Sequence, residues 1–249
     1  MIPSWGLPGP GTRRSRLIAL LAVRNGIRHL PGYLRNVAPQ VDGIIALDDG
    51  SSDGSAELLA GHSAVIEIIH RPADRPTWDE VGNHRALVAA ALRHGAEWIV
   101  CVDADERLEH EFRPRAERVI TRGSWLGLSA YAMRLRELWD APDQYRADGI
   151  WGRKRVVRLF RARSDHEFDP SPLHGVKAPL QARVRGRFPN ADLLIYHLGM
   201  LHSDDRQNRR RRYEHADPGR RWQEIGYEYL TDPTGLELTR VSARRGFVG

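Results

Sequence analysis

The chain has 249 residues and a hydrophobic fraction of 41%, enough for a packed core in one large domain or two small ones. Its formal charge is +6, it has a single cysteine, and no stretch approaches the ~18 consecutive apolar residues of a membrane-spanning helix. A disulfide-stapled fold is therefore excluded.

Residues 1–15, with Pro3, Pro8 and Pro10, read as a disordered leader that lacks the apolar centre of a signal peptide. Residues 16–23 form an apolar strand. Residues 30–37 carry a helical pattern with Pro31 near its start. A strand over 41–47 runs into Asp48-Asp49-Gly50-Ser51-Ser52-Asp53-Gly54. A helix over 52–59 follows, with Ser and Asp at its start, and Asp53 reads as a cap rather than a ligand. Residues 64–70 are a strand. Residues 80–94 are a helix with Val81, Leu87, Val88, Ala91 and Leu92 on one face and Gly95 closing it. A strand over 97–103 ends in Asp103-Ala104-Asp105-Glu106. Strands spaced by helices predict a parallel sheet with right-handed crossovers.

The second half changes character. Residues 126–139 and 151–162 read as long strands with mixed faces, and 163–181 as an irregular, proline- and histidine-rich segment whose Gly175 tolerates a larger residue. Residues 183–197 read as a strand. Residues 203–216 read as a charged helix, with Asp204 and Asp205 suited to its positive N-terminus. Trp222, Tyr227 and Tyr229 fall on a short helix in the tail. Of the 38 basic residues only Lys154 and Lys177 are lysines, a bias that reads as genome composition. Arg209 to Arg212 are consecutive and so spread around a helix, which reads as a solvated basic face. Docking to an anionic membrane surface or a phosphorylated acceptor is the sharper reading.

The two acidic signatures stand roughly 50 residues apart, each after a strand. Open α/β sheets bind ligands at the carboxyl ends of their strands. Carboxylates gathered there repel one another and call for a cation or for ligand donors. An Asp-x-Asp at such an edge can hold a divalent metal and, through it, a diphosphate.

The opening strand with Arg24-Asn25, the Asp48–Gly54 loop and Asp103-Ala104-Asp105 together resemble the inverting glycosyltransferases of family 2, which have the GT-A fold. The resemblance covers 16–110 strongly and 150–215 weakly. It implies an α/β, Rossmann-like fold with a mostly parallel central sheet flanked by helices. Residues 16–110 are then the nucleotide-sugar-binding half, 111–217 the acceptor-binding half, and 218–249 a C-terminal tail. It implies a metal-dependent, inverting transfer from a nucleotide-diphosphate sugar. The acceptor stays open among a glycan, a lipid-linked group and a small molecule.

By the same resemblance Asp105 is the direct ligand of Mg²⁺ or Mn²⁺, and Asp103 faces the ribose or a metal-bound water. His197 completes the coordination, with His202 as the alternative. Asp48 and Asp49 contact the nucleobase or ribose, and Asn25 joins the nucleotide-sugar site. Trp78-x-x-x-x-Asn83-x-Arg85 is similar to the family's stretch before the Asp-x-Asp strand. It adds Asn83, and Arg85 as a fork onto phosphate, with Arg71 as a weaker nucleotide contact. Relatives often carry a His-Glu pair after an Arg-Leu-Phe strand, and that glutamate is the expected base. Here the strand is Val157-Arg158-Leu159-Phe160 and the later pair is His174-Gly175. The missing glutamate leaves Glu167, Asp169, Asp148 and His174 itself as candidate bases, or a nucleotide-sugar binder without turnover.

A sugar nucleotidyltransferase needs its glycine-rich loop after the first strand, whereas Gly9-Pro10-Gly11-Thr12-Arg13 precedes it. Nucleic acid is not an expected partner, because acidic strand ends repel phosphates unless metal is bound. The expected location is cytoplasmic, with peripheral contact at the inner membrane surface as the variant that the arginine run suggests.

Overall fold

The structure is a computed structural model that describes residues 14–74, 78–171 and 175–249. All but the end of the expected leader lies outside the described residues. Strand β1 (Leu17–Val23) is apolar throughout and buried at six of its seven positions, as a central parallel strand requires. Helix α1 (Leu30–Val37) follows, with Pro31 in its first turn. Strand β2 (Gly43–Asp48) is fully buried, and helix α2 (Ser55–Ala60) leads to β3 (Val65–His70). Helix α3 (Glu80–Arg93) is capped by Asp79, which accepts from the Gly82 amide at 2.8 Å. Strand β4 (Trp98–Cys101) completes a parallel set in the order β3, β2, β1, β4.

The register explains why the acidic motifs meet. Val23 pairs with Asp48, Asp48 with His70, and Leu20 with Cys101. Arg24-Asn25, Asp48-Asp49 and Asp103 to Asp105 therefore leave the sheet along one edge. Side chains alternate along β1: Leu17, Ala19 and Leu21 join one core layer, and Ile18 and Leu20 the other. The second layer packs under Leu87, Val88 and Ala91 of α3, the face predicted from the helical period.

The second half extends the same sheet. It comprises β5 (Glu106–Leu108), α4 (Phe112–Ser124), β6 (Ala130–Trp139), β7 (Ala141–Arg146), α5 (Gly149–Arg153), β8 (Arg155–Arg161), β9 (Asn190–His197), α6 (Ser203–Ala216) and β10 (Leu238–Arg240). Strand β8 runs antiparallel to β4, and β6 antiparallel to β8. Strand β9 lies parallel to β6 and antiparallel to β5. That double pairing puts His197 beside Glu106 on one flank and beside Glu137 on the other. The sheet is thus parallel from β3 to β4 and largely antiparallel beyond β4. Among the described residues no helix is long and apolar enough to cross a membrane.

Several boundaries differ from the sequence reading, each for a local reason. Helix α2 begins at Ser55, because Asp48 and Asn25 hold the Ser51 and Ser52 amides and Gly54 turns at φ 89°. Helix α4 was not predicted: its buried Phe112, Ala116 and Ile120 are diluted by charge and by Pro114. The strand expected from 151 opens instead with the turn of α5, which buries Trp151. The strand expected from 183 starts at Asn190, after a tight turn that bridges Val184 and Arg187, with Arg185 at φ 50° and Gly186 at φ 78°. Gly175 is not open either, since a Cβ there would stand 2.9 Å from the Ser171 carbonyl oxygen.

Candidate functional site

The loop after β2 is built as a cradle. Asn25, at φ 53°, accepts from the Ser52 amide through its Oδ1 at 2.8 Å, and its own amide donates to Ser51 Oγ. Asp53 accepts from the Ser55 amide and hydroxyl and from the Ile27 amide. Arg24 donates through Nε to the Asp49 carbonyl at 2.7 Å. Asp48 and Asp49 are both buried at this edge. Arg71 follows β3 with its amide on the Asp48 carbonyl. Its Nε and both amide atoms of fully buried Asn83 have no hydrogen-bond partner among the described residues. A buried polar group left unpaired is costly, so these two mark places where a ligand or ordered water completes the bonding. Arg85, by contrast, is exposed on α3.

Asp103 is held from three directions. Its amide donates to Glu106 Oε2 at 2.9 Å, Arg158 Nη2 donates to its Oδ2 at 2.7 Å, and Lys177 Nζ donates to its Oδ1 at 2.5 Å. The same Arg158 nitrogen also donates to Glu106 Oε1 at 2.7 Å. Burial would raise Asp103, but Arg158 and Lys177 outweigh it and hold the carboxyl well below the usual range. Burial dominates at Glu106 and pushes it up. Arg107 ties this turn to the start of α1 by donating to the carbonyls of Ala104, Glu106 and His29.

Asp105 points the other way along the edge, to His197. His197 Nε2 lies 3.0 Å from Asp105 Oδ2 and 2.9 Å from Arg209 Nη1. On the far side of the ring, Nδ1 bonds the buried Glu137 carboxylate, whose other oxygen takes Lys154. Burial lowers His197, but Glu137 and Asp105 overcome it and raise the imidazole to about 10. The same contacts hold Asp105 and Glu137 far below ordinary carboxylates, against their burial. Gly199 keeps the corner clear. A Cβ at that position would stand 2.5 Å from Asp105 Oδ2, 2.8 Å from His197 Nε2 and 2.9 Å from Arg209 Nη1.

This corner fits a divalent cation. It offers one hard carboxylate and one imidazole whose Nδ1 is anchored by a second carboxylate, the arrangement that aims Nε2 at a metal. No group of three or more His, Cys, Asp or Glu is gathered for a metal among the described residues, so water and ligand oxygens would supply the other positions.

Among the candidate bases in the described residues, none bonds Asp105 or His197. Glu167 is exposed. Asp169 accepts from the Ser171 amide at 2.9 Å and lines a small cavity with Glu80, His84 and Lys177. The Asp148 carboxylate is taken by Arg146 at 2.8 and 3.0 Å. His174 lies outside the described residues, and His202 is exposed at the start of α6.

Sequence reasoning missed Arg158, Lys177, Glu137, Lys154 and Arg209. The reading of 209–212 as a wholly solvated face is corrected for Arg209, which turns inward to His197 and Tyr213. A signal for the lysines was present: the two lysines of the chain are the two that bind site carboxylates.

Residues 21–123 match the profile described as glycosyl transferase family 2. An uncharacterized protein of Mycobacterium tuberculosis is 28% identical over 147 residues, and one of Mycobacterium bovis matches to the same extent. Each match covers 57% of this chain and 35% of the relative, so the chain spans about a third of those proteins. Three solved structures are similar with a TM-score of 0.51. The mannosyltransferase PcManGT from Pyrobaculum calidifontis, in complex with GDP-Man and Mn²⁺, is 17% identical and aligns over 86% of this chain and 65% of its own. TarS of S. aureus is 10% identical over 78% and 39%. GalNAc-T7 with UDP, GalNAc and Mn²⁺ is 9% identical over 75% and 44%. At these identities the likeness is one of fold.

Proposed function

We propose, from the match of residues 21–123 to the glycosyl transferase family 2 profile, that the protein transfers a sugar from a nucleoside-diphosphate sugar to an acceptor hydroxyl, with inversion and with bound Mn²⁺ or Mg²⁺. The observation that carries the reading is the corner formed by Asp105, His197 and Gly199 at the carboxyl edge of the sheet. Asp105 and His197 hold the cation there, and Glu137 fixes the ring that presents Nε2. When bound, the cation acts as a Lewis acid on the diphosphate leaving group. Two proteins of like fold, one in complex with GDP-Man and Mn²⁺ and one with UDP, GalNAc and Mn²⁺, agree with such a site.

The chain's own residues do the rest. Asp48, Asp49 and the Asn25-held loop take the nucleoside, joined by Asn83 and Arg71, whose unpaired buried atoms need partners. Asp103 orients the ribose, and Arg158 keeps its carboxylate ionised. The acceptor proton passes to a base on the 163–181 segment, from Glu167, Asp169 or His174. Gly175, where relatives carry a glutamate, favours one second reading, a nucleotide-sugar binder without turnover; turnover with any acceptor hydroxyl removes it.

The test is a thermal-shift panel of UDP-, GDP-, dTDP- and CMP-sugars, with and without Mn²⁺ or Mg²⁺, on wild type and Asp105→Ala. A metal-dependent rise with one nucleotide, absent in the variant, is expected. The same rise in Asp105→Ala would sink the metal assignment.

A further inference from the structure

Of the four arginines 209–212, only Arg209 turns into the site. Arg210 pairs with Glu214 and Thr231, Arg211 bonds Asn208, and Arg212 is exposed. Arg209 Nη1 lies 2.9 Å from His197 Nε2, and Nη2 donates to Tyr213 Oη at 3.2 Å. Among the described residues no carboxylate stands within 4.0 Å of its guanidinium, so this cation has no ion pair of its own. A guanidinium has five N–H donors; one is engaged by Tyr213 Oη, and the one at His197 Nε2 is engaged only when that nitrogen carries no proton.

The geometry at Nε2 is mutually exclusive. An unprotonated imidazole nitrogen has one lone pair in the ring plane, which serves an arginine N–H or a metal but not both. Protonated, it serves Asp105 and opposes Arg209. A divalent cation seated between Asp105 Oδ2 and His197 Nε2 therefore expels Nη1. The fork it frees is still tethered by Tyr213 at the rim of the same corner, where its natural partner is a pair of phosphate oxygens.

We propose that Arg209 is the metal-free site's resident cation: it gives way to the divalent metal at Asp105 and His197 and moves onto the donor's diphosphate. This rests on the proposed function for the identity of the anion, but not for the competition with metal. Arg209 and the metal then oppose one another in the free protein and cooperate once a nucleoside diphosphate is bound. A merely structural arginine would not reverse sign in this way.

The experiment is calorimetric titration of the full chain, wild type and Arg209→Met, with Mn²⁺ alone and then with UDP and GDP in saturating Mn²⁺. Without nucleotide, Arg209→Met should bind Mn²⁺ roughly tenfold more tightly than wild type. With Mn²⁺ saturating, its affinity for the nucleoside diphosphate should fall by roughly tenfold. Unchanged or weaker Mn²⁺ binding by the folded variant, or no Mn²⁺ binding by either protein, overturns the competition. A gain in Mn²⁺ affinity with no loss for the nucleotide overturns the move onto the diphosphate. If wild type binds no nucleotide, the proposed function fails, while the Mn²⁺ arm still decides the competition. Should Arg209→Met not fold, Arg209→Gln keeps a donor for Tyr213 Oη and reads the same two arms.

Discussion

Gly199→Ala is the smallest perturbation that tests the corner. The added methyl carbon would begin 2.5 Å from Asp105 Oδ2, 2.8 Å from His197 Nε2 and 2.9 Å from Arg209 Nη1. Non-bonded heavy atoms settle at about 3.5–4.0 Å, so these groups must retreat by about 1 Å or the turn must shift. His197 has little freedom to retreat, because Nδ1 is held by buried Glu137 and its strand is paired on both sides. Asp105 must therefore move most, which separates the two donors. Metal sites hold their ligand distances within about 0.2 Å, so a displacement of this size should cost roughly 10–100-fold in affinity. Fold stability should fall by a comparable amount, about 1–3 kcal/mol, the usual cost of one crowded methyl. The assay is Mn²⁺ titration with UDP or GDP present, alongside a melting curve. A variant that melts near wild type and binds Mn²⁺ equally well would refute the assignment of this corner.

Glu137→Gln keeps the shape but removes the charge that anchors His197 Nδ1; Mn²⁺ affinity should drop about 10–100-fold, and equal affinity by calorimetry would count against the anchoring role. Lys177→Arg should weaken nucleotide binding by about 1 kcal/mol, roughly fivefold, because a fork replaces a point charge at an oxygen of Asp103; wild-type affinity in the same titration argues the other way. His84 predicts an acid dependence of stability. Its burial, reinforced by Lys177, lowers the ring from 6.5 to about 3, so the folded state resists a proton that the unfolded chain accepts below pH 6.5. Its contribution is complete above pH 6.5 and is lost as pH falls towards 3, by about 2 kcal/mol at pH 5. Melting His84→Leu and wild type at pH 7 and pH 5 should shift the gap between them by roughly 4–8 °C in the variant's favour; a constant gap means that the histidine does not resist protonation.

The parallel half of the fold was legible because its strands are short, largely apolar runs, two of which (β2 and β4) end abruptly in acids, and α3 shows its buried face in its period. The second half was not. Its strands carry charge on both faces, since Glu137, Arg158 and His197 point into a polar site rather than into a core. Strand β7 is polar and largely half-buried and the edge strand β10 is exposed throughout, so nothing in their alternation marks them. Within the site, Asp103 and Asp105 stood out because they share one short motif. Their direct partners come from β8, β9 and the 163–181 segment, up to 92 residues away along the chain (His197 against Asp105), and Glu137 of β6 and Arg209 of α6 join through His197. No spacing in the sequence joins them; strand register does, and register appears only when β9 is seen between β5 and β6.

The two lysines show how such a site could still have been suspected. A chain that uses arginine for nearly every positive charge has a reason where it does not. Glu137 is shared: one oxygen meets Lys154 and the other His197 Nδ1. Asp103 is shared as well, with Oδ1 on Lys177 and Oδ2 on Arg158. An arginine fork matches both oxygens of one carboxylate and tends to take them together. An ammonium is a compact point charge that can serve one oxygen and leave the second to a neighbour. At Glu137 that second oxygen sets the direction of His197, and at Asp103 it keeps Arg158 bridged to Glu106. Lysine thus stands at two positions where a site carboxylate is divided between partners, a role that its compact charge suits.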